Sequence, residues 1–417
     1  MKGHLSKVLC LVVLASATVL LASNALAGTF RTLYSFHGDD GSAPTAPLTA
    51  DTLGNLYGTT AYGGTHGTVF ELVRPARPGG AWTEAVLHAF HFGGAANPWT
   101  GVIFDKAGNL YGTSSSGGTN NTGTVYELVP PFTQGGAWTE TVLWNLPSGF
   151  SMPGGLVIGK GGVLYGVVFT SDAYGSVFSL TPPKTQLVPW KVRLLYLFSG
   201  GADGNTPQVI APLIFDNNGN LYGTTFGGGA YYAGTVFQLV HPQSPGAPWT
   251  ENVLYSFGAT PDDGVSPQGG VIFDNLGNLF GTTSYGLNAY GTVFELSPPL
   301  NQGSTWTESV LYRFMDRTQG SNIYSGVVMG GAGKLYGTAA DIPPYFPGTV
   351  FEVSPPQLPG AAWTGQTIYT FTDFHDGSDP RGSLIAAPNG DLYGTTTFGG
   401  VDSGEGACCG TVFKLVP

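Results

Sequence analysis

The sequence predicts an all-β, seven-bladed propeller with four antiparallel strands per blade, its ring closed by the N-terminal strand joining the last blade. Three observations carry the prediction. A motif recurs seven times, each repeat holds four strand-like segments, and one repeat is divided between the two ends of the chain.

Leu-Tyr-Gly-Thr stands at Leu56, Leu110, Leu221, Leu335 and Leu392, with variants at Leu164 and Leu279, spaced 54 to 58 residues apart. Behind each comes Gly-Thr-Val-Phe or a close relative, beginning at Gly67, Gly123, Gly175, Gly234, Gly291, Gly348 and Gly410. A Trp-led segment then starts at Trp82, Trp138, Trp190, Trp249, Trp306 and Trp363. Periods of this size belong to propellers or solenoids.

Each repeat reads as four strands. The first is short and apolar, as in Gly101 to Asp105, and a turn of the type Asn217-Asn218-Gly219-Asn220 follows it. Leu-Tyr-Gly-Thr is the second, Gly-Thr-Val-Phe-Glu-Leu the third, and the Trp-led segment the fourth. Continuous apolar runs in the first and third strands predict burial on both faces, as in a blade packed between two others. Glu71, Glu127, Gln238, Glu295 and Glu352 share one third-strand position, which implies a solvent outlet or a common polar contact.

Closure separates a propeller from a solenoid. Thr29 to Phe36 aligns with fourth strands such as Val253 to Phe257, whereas the chain stops at Pro417, just after a third strand. One blade is therefore assembled from both ends, which an open array would have no reason to do. Pairing them also removes free sheet edges.

Composition agrees. Gly numbers 66 and Pro 30, which is incompatible with a mostly helical chain, while 42% apolar content fills a core. The first 27 residues carry a basic start (Lys2, Lys7), an apolar run from Val8 to Leu21 and an Ala25-Leu26-Ala27 cleavage site. That is an export signal peptide, leaving a propeller over 28–417. Secretion is expected, with the periplasm as the alternative. A net charge of −11 without basic clusters disfavours nucleic acid, and no membrane span is expected. Past the signal only Cys408 and Cys409 remain, too few for a disulfide framework, so packing must hold the fold.

The repeats resemble the GloVer (choice-of-anchor) tandem-repeat family of exported bacterial proteins, through Gly54-Asn-Leu-Tyr-Gly-Thr-Thr60 and Gly67-Thr-Val-Phe-Glu-Leu72. The resemblance extends from Thr29 to Pro417. It implies export, with no established activity or catalytic residues. The family's C-terminal anchor is not found before Pro417, so release is the expectation.

Loops joining second to third strands, and fourth strands to the next blade, should share one face at the channel mouth. The former carry Tyr62, Tyr174, Tyr231, Tyr232, Tyr285, Tyr290, Tyr345, Phe346 and Phe398, rings suited to stacking on sugars or gripping a peptide. The alternative is local packing over Gly-rich turns. The fourth-to-first loops repeat Asp-Gly-x-x-Pro at Asp40, Asp203, Asp263 and Asp376, which reads as a turn capped by its own Asp rather than as a Ca²⁺ site. His37, His91 and His375 fall in three consecutive loops of this kind and, with Asp376, form a candidate Zn²⁺ set, though without motif spacing. Glu405, Cys408 and Cys409 lie in the same sector.

No nucleophile elbow, H-E-x-x-H or phosphate loop is present, and no cofactor is expected. The reading is a non-enzymatic, monomeric binding propeller for a glycan or protein. A polysaccharide hydrolase or lyase using Asp39, Asp262 or Asp376, and a structural exoprotein, are the alternatives.

Overall fold

The computed structural model describes residues 29–417 except 92, 134, 172–173, 186–187, 209–210, 245, 287, 302–303, 341–347, 359, 373–374 and 401–408. The expected signal peptide lies outside the described residues.

Seven antiparallel sheets form the blades of a propeller. Blade 1 runs outward through Thr49–Ala50, Leu56–Thr60, Thr68–Val73 and Thr83–Ala89. Blade 7 is made from both chain ends: Ile385–Ala386, Leu392–Thr396 and Thr411–Val416 are completed by Thr29–Ser35. Phe30 lies opposite Leu415 and Tyr34 opposite Val412, the antiparallel register expected of closure. Each pairing of third and fourth strands is interrupted at one place, as between Val69 and Phe70.

Burial follows from position in the blade. In blade 1 the second strand is buried along its length, and the third from its first residue to its Phe. First strands such as Ile103–Phe104 are only half-buried, against the expectation of burial on both faces. Their inner edge borders the axial channel instead of another sheet.

The core lies in the seams between blades. One cluster combines Tyr57 and Val69 of blade 1 with Val102, Leu110 and Tyr126 of blade 2. Another joins Leu33 and Val412 of blade 7 to Leu56 and Phe70 of blade 1. Each buried third-strand ring stabilises its seam by about 1.5–3 kcal/mol.

The repeated motif is explained by these seams. Phe70 lies flush on Gly58, where a Cβ would come within 2.6 Å of the ring. Thr59 donates from Oγ1 to the Thr100 carbonyl of the next blade at 2.8 Å. Thr224, Thr282, Thr338 and Thr395 make equivalent inter-blade bonds. Tyr57 donates to Glu71 at 2.7 Å and Tyr111 to Glu127 at 2.8 Å, so the third-strand Glu is a shared polar contact.

Candidate functional site at the channel mouth

Each chain segment entering a first strand passes through a residue with left-handed backbone. These are Ala43, Asn97, Met152, Thr206, Ser266, Asn322 and Asp379, with φ between 44° and 57°, and Pro follows in six of the seven blades. Non-Gly residues hold this conformation only where surrounding contacts enforce it. Here the enforcing contacts come from the preceding blade. Asn97 N donates to His66 O at 2.7 Å and Ser266 N to Ala233 O at 2.7 Å. The following Pro then covers the Gly that opens that blade's third strand, as Pro98 covers Gly67.

In this latch the residue after the left-handed position and its Pro varies from blade to blade and stands where the chain turns in at the mouth. Blade 2 carries Trp99 there, blades 4 and 5 Gln208 and Gln268, and blades 6 and 7 Tyr324 and Arg381, whereas blade 1 has the buried Thr45 and blade 3 Gly154. Sequence reasoning missed this ring. Its signal is divergence, since the residue after the Pro varies within an otherwise constant repeat.

The predicted aromatic loops surround the ring. Tyr62 pairs its backbone with Ser42 and meets Trp99 edge-on, 5.8 Å between ring centres. Tyr285 stands at the matching position in blade 5 and donates to Asn322 Oδ1 at 3.1 Å. Phe398 holds the matching position in blade 7, its backbone paired with Ser378. Arg317 lies 5.3 Å from the Tyr290 ring centre. Tyr174 is placed over Gly200. Tyr231 is exposed, and Tyr232, 80% exposed, is the most open of these rings. Phe226, not singled out from the sequence, is exposed near the end of the second strand of blade 4, Leu221–Gly227. Tyr345 and Phe346 lie outside the described residues.

Arg381 is held in a built environment. Its guanidinium lies 5.3 Å from the Tyr324 ring centre, and Nε contacts Asp379 Oδ2 at 2.8 Å. Burial raises the Asp379 carboxyl above its ordinary range, with Arg381 opposing the shift. Burial also raises the Tyr324 hydroxyl, with Tyr285 adding to it.

The candidate Zn²⁺ set is not assembled. Among the described residues no group of three or more His, Cys, Asp or Glu is gathered to hold a metal. His37 Nδ1 faces Asp40 at 3.3 Å, whereas His91 Nδ1 faces Thr65 Oγ1 at 3.0 Å. Asp376 accepts from Tyr369 and from Thr372 N, and His375 is exposed on its loop. Each loop satisfies its own groups. Glu405 and Cys408 lie outside the described residues; Cys409 is buried and disulfide-bonded.

The repeated Asp residues cap turns, as their spacing implies. Asp263 Oδ2 accepts from Gly258 N at 2.8 Å and from Tyr255 at 3.0 Å; Asp40 and Asp203 are bonded alike. Of the acids suited to hydrolysis, Asp39 and Asp262 stand in solvent, the latter 3.8 Å from Arg313. The strongly shifted carboxyls, Glu84, Glu251 and Glu308, are on fourth strands in outer seams.

A family model described as the Gloeobacter/Verrucomicrobia repeat matches residues 17–173 and 152–413. The chain belongs to that family. The two matched stretches together span the seven blades. No curated protein matches the chain. Among solved structures, similarity is found to a protein from Thermus thermophilus described as an oxidoreductase (glucose dehydrogenase). It has 14% identity and a TM-score of 0.42, covering 93% of this chain and 99% of that one. A protein of unknown function from Dyadobacter fermentans has 10% identity and a TM-score of 0.42, over 93% and 99%. A gluconolactonase from Xanthomonas campestris has 14% and 0.40, over 74% and 85%. No helix among the described residues is long and apolar enough to cross a membrane.

Proposed function

We propose that this member of the Gloeobacter/Verrucomicrobia repeat family is an exported, non-catalytic binding propeller whose aromatic face holds a glycan. One observation carries the reading: Tyr62, Tyr285 and Phe398 are fixed by backbone pairing yet remain exposed, on the face where the mouth ring varies from blade to blade. Rings held in place stack on a sugar at little entropic cost. A varied ring on a near-symmetric scaffold supplies the asymmetry that recognition of one ligand needs. Export rests on the N-terminal pattern of Lys2, Lys7, the apolar run and Ala25-Leu26-Ala27.

The test is a glycan-array screen of residues 28–417, with and without Ca²⁺, followed by titration of any glycan retained. Tyr62→Ala, Tyr232→Ala and Tyr285→Ala should each weaken binding by about 0.5–1.5 kcal/mol while leaving the melting temperature in place. Tyr57→Ala, Tyr111→Ala and Tyr222→Ala, whose rings are buried in blades, should lower the melting temperature instead. An array on which nothing is retained would refute the reading.

A further inference from the structure

The axial channel is a cavity of about 260 Å³ to which all seven blades contribute residues of their first strands or of the segments leading into them. Its wall has two levels. Toward the mouth stands a collar of small or ring-closed residues, including Gly101, Gly155, Pro212 and Gly270; below it Ile103, Ile214, Ile272 and Val328 narrow the passage. Small residues above branched ones make a funnel opening on the face that carries Arg381.

The side chains of the wall offer water very little. Thr49 and Ser383 are the polar side chains among the described lining residues, and both are engaged by the protein. Thr49 Oγ1 donates to Val102 O at 2.5 Å, and Ser383 Oγ accepts from Gly326 N at 3.0 Å. A channel lined mainly by apolar side chains favours an apolar guest, with the few polar groups fixing its orientation.

Arg381 precedes Ser383 of the wall by two residues, which puts its backbone within about 7 Å of the channel lining. Asp379 occupies Nε, and the Tyr324 ring supports the guanidinium plane. Neither terminal nitrogen has a partner among the described residues, which leaves the forked edge that grips a carboxylate with two bonds.

We infer that the channel binds an amphiphile with an unbranched aliphatic chain and a carboxylate head, the chain inside the funnel and the head on Arg381. This site is separate from the sugar-stacking loops and stands whether or not they bind glycan. Apolar wall and rim cation together select the ligand class. A sugar would find few polar side chains for its hydroxyls in the channel, and a neutral hydrocarbon would gain nothing from Arg381.

The experiment titrates residues 28–417 with linear carboxylates from hexanoate to dodecanoate by calorimetry, alongside the matching alkanols. One ligand should bind per chain, with affinity rising about fourfold per methylene until the chain outgrows the funnel. Alkanols should bind about tenfold more weakly. Arg381→Met should bring each carboxylate to the level of its alkanol and leave alkanol affinity unchanged. Ile272→Trp, a plug in the wall, should abolish binding of both series, and Arg381→Met covers the case in which the plugged variant fails to fold. Absence of saturable binding, or affinity independent of both chain length and Arg381, overturns the inference.

Discussion

Pro98 of blade 2 covers Gly67 of blade 1 so closely that a Cβ on Gly67 would stand 2.7 Å from Pro98 Cδ and 2.5 Å from the Thr60 carbonyl oxygen. The same contact recurs around the ring, for example between Pro267 and Gly234 and between Pro44 and Gly410. Gly67 also has φ of +94°, so two costs coincide there. Gly67→Ala should destabilise by well over 2 kcal/mol, because backbone strain of about 1–2 kcal/mol is joined by a clash with a rigid ring. Gly79, with φ of +80° and nothing within 4 Å, isolates the first cost. Gly79→Ala should lose only the strain. Urea unfolding of the two variants makes the comparison, and equal losses would show that the latch contributes nothing.

A second prediction concerns pH. Burial, reinforced by Asp40, pushes Glu84 up to about 7; Glu251 beside Asp203 and Glu308 beside Asp263 are pushed up equally. Each has an unpaired buried oxygen, and Tyr34, Tyr196 and Tyr255 donate to the neighbouring Asp. Arg313 opposes the shift at Glu308. A carboxyl raised on folding stabilises fully below its unfolded value, near 4.5, and loses that contribution as pH rises through about 7. The protein should therefore melt higher at pH 5 than at pH 8. Solvent screening at these half-buried sites limits each contribution to about 1 kcal/mol. Glu84→Gln, Glu251→Gln and Glu308→Gln combined should flatten the profile between those values. Glu352 acts the other way at lower pH: burial would raise it, but hydrogen bonds from Ser354 and Lys334 prevail and lower it.

Blade 2 carries a third prediction. Its third strand has Tyr126 where the other blades have Phe, fully buried and with no hydrogen-bond partner on its hydroxyl. An unpaired buried hydroxyl costs about 1–3 kcal/mol. Tyr126→Phe should raise stability, read as a higher melting temperature, unless the smaller ring leaves a void of equal cost. A drop would mean that the hydroxyl is satisfied in solution.

Much of this fold was legible because each blade repeats the same solution. Leu-Tyr-Gly-Thr and Gly-Thr-Val-Phe mark the strands that pack the seams, and repetition made the blade count and the split repeat readable. The Asp-Gly turns were legible because an Asp satisfies its own turn locally. The mouth ring was not, because Thr45, Trp99, Gln208, Gln268, Tyr324 and Arg381 share a position but no single chemistry. The histidine set failed for the same physical reason the turns succeeded. His37 and His91 each have a polar neighbour nearby, and adjacency of loops around a ring says nothing of where their tips point.

Closure supplies the last prediction. Phe30, from the N-terminal strand, stacks on Tyr369 of blade 6 with ring centres 4.0 Å apart and planes 6° from parallel. It also meets Phe371 edge-on at 5.7 Å and lies 5.6 Å from Phe413. By register Phe30 stands opposite Leu415, where Glu84 stands opposite Leu72 in blade 1, so the closing seam has an aromatic ring in place of a raised carboxyl. The seam between blades 6 and 7 thus depends on residues nearly the whole chain length apart. Phe30→Ala should cost about 2–3 kcal/mol, below the figure for a fully buried Phe because the ring is half-exposed. Removing residues 29–36 should do more. It strips the outer strand from blade 7, bares the edge of Thr411–Val416 and leaves the Tyr369 face uncovered, so cooperative unfolding should be lost and the truncated chain should associate through that edge. Calorimetry and light scattering read both effects. A truncated chain that stays monomeric and melts in one sharp transition at the original temperature would show that the ring does not need its terminal strand.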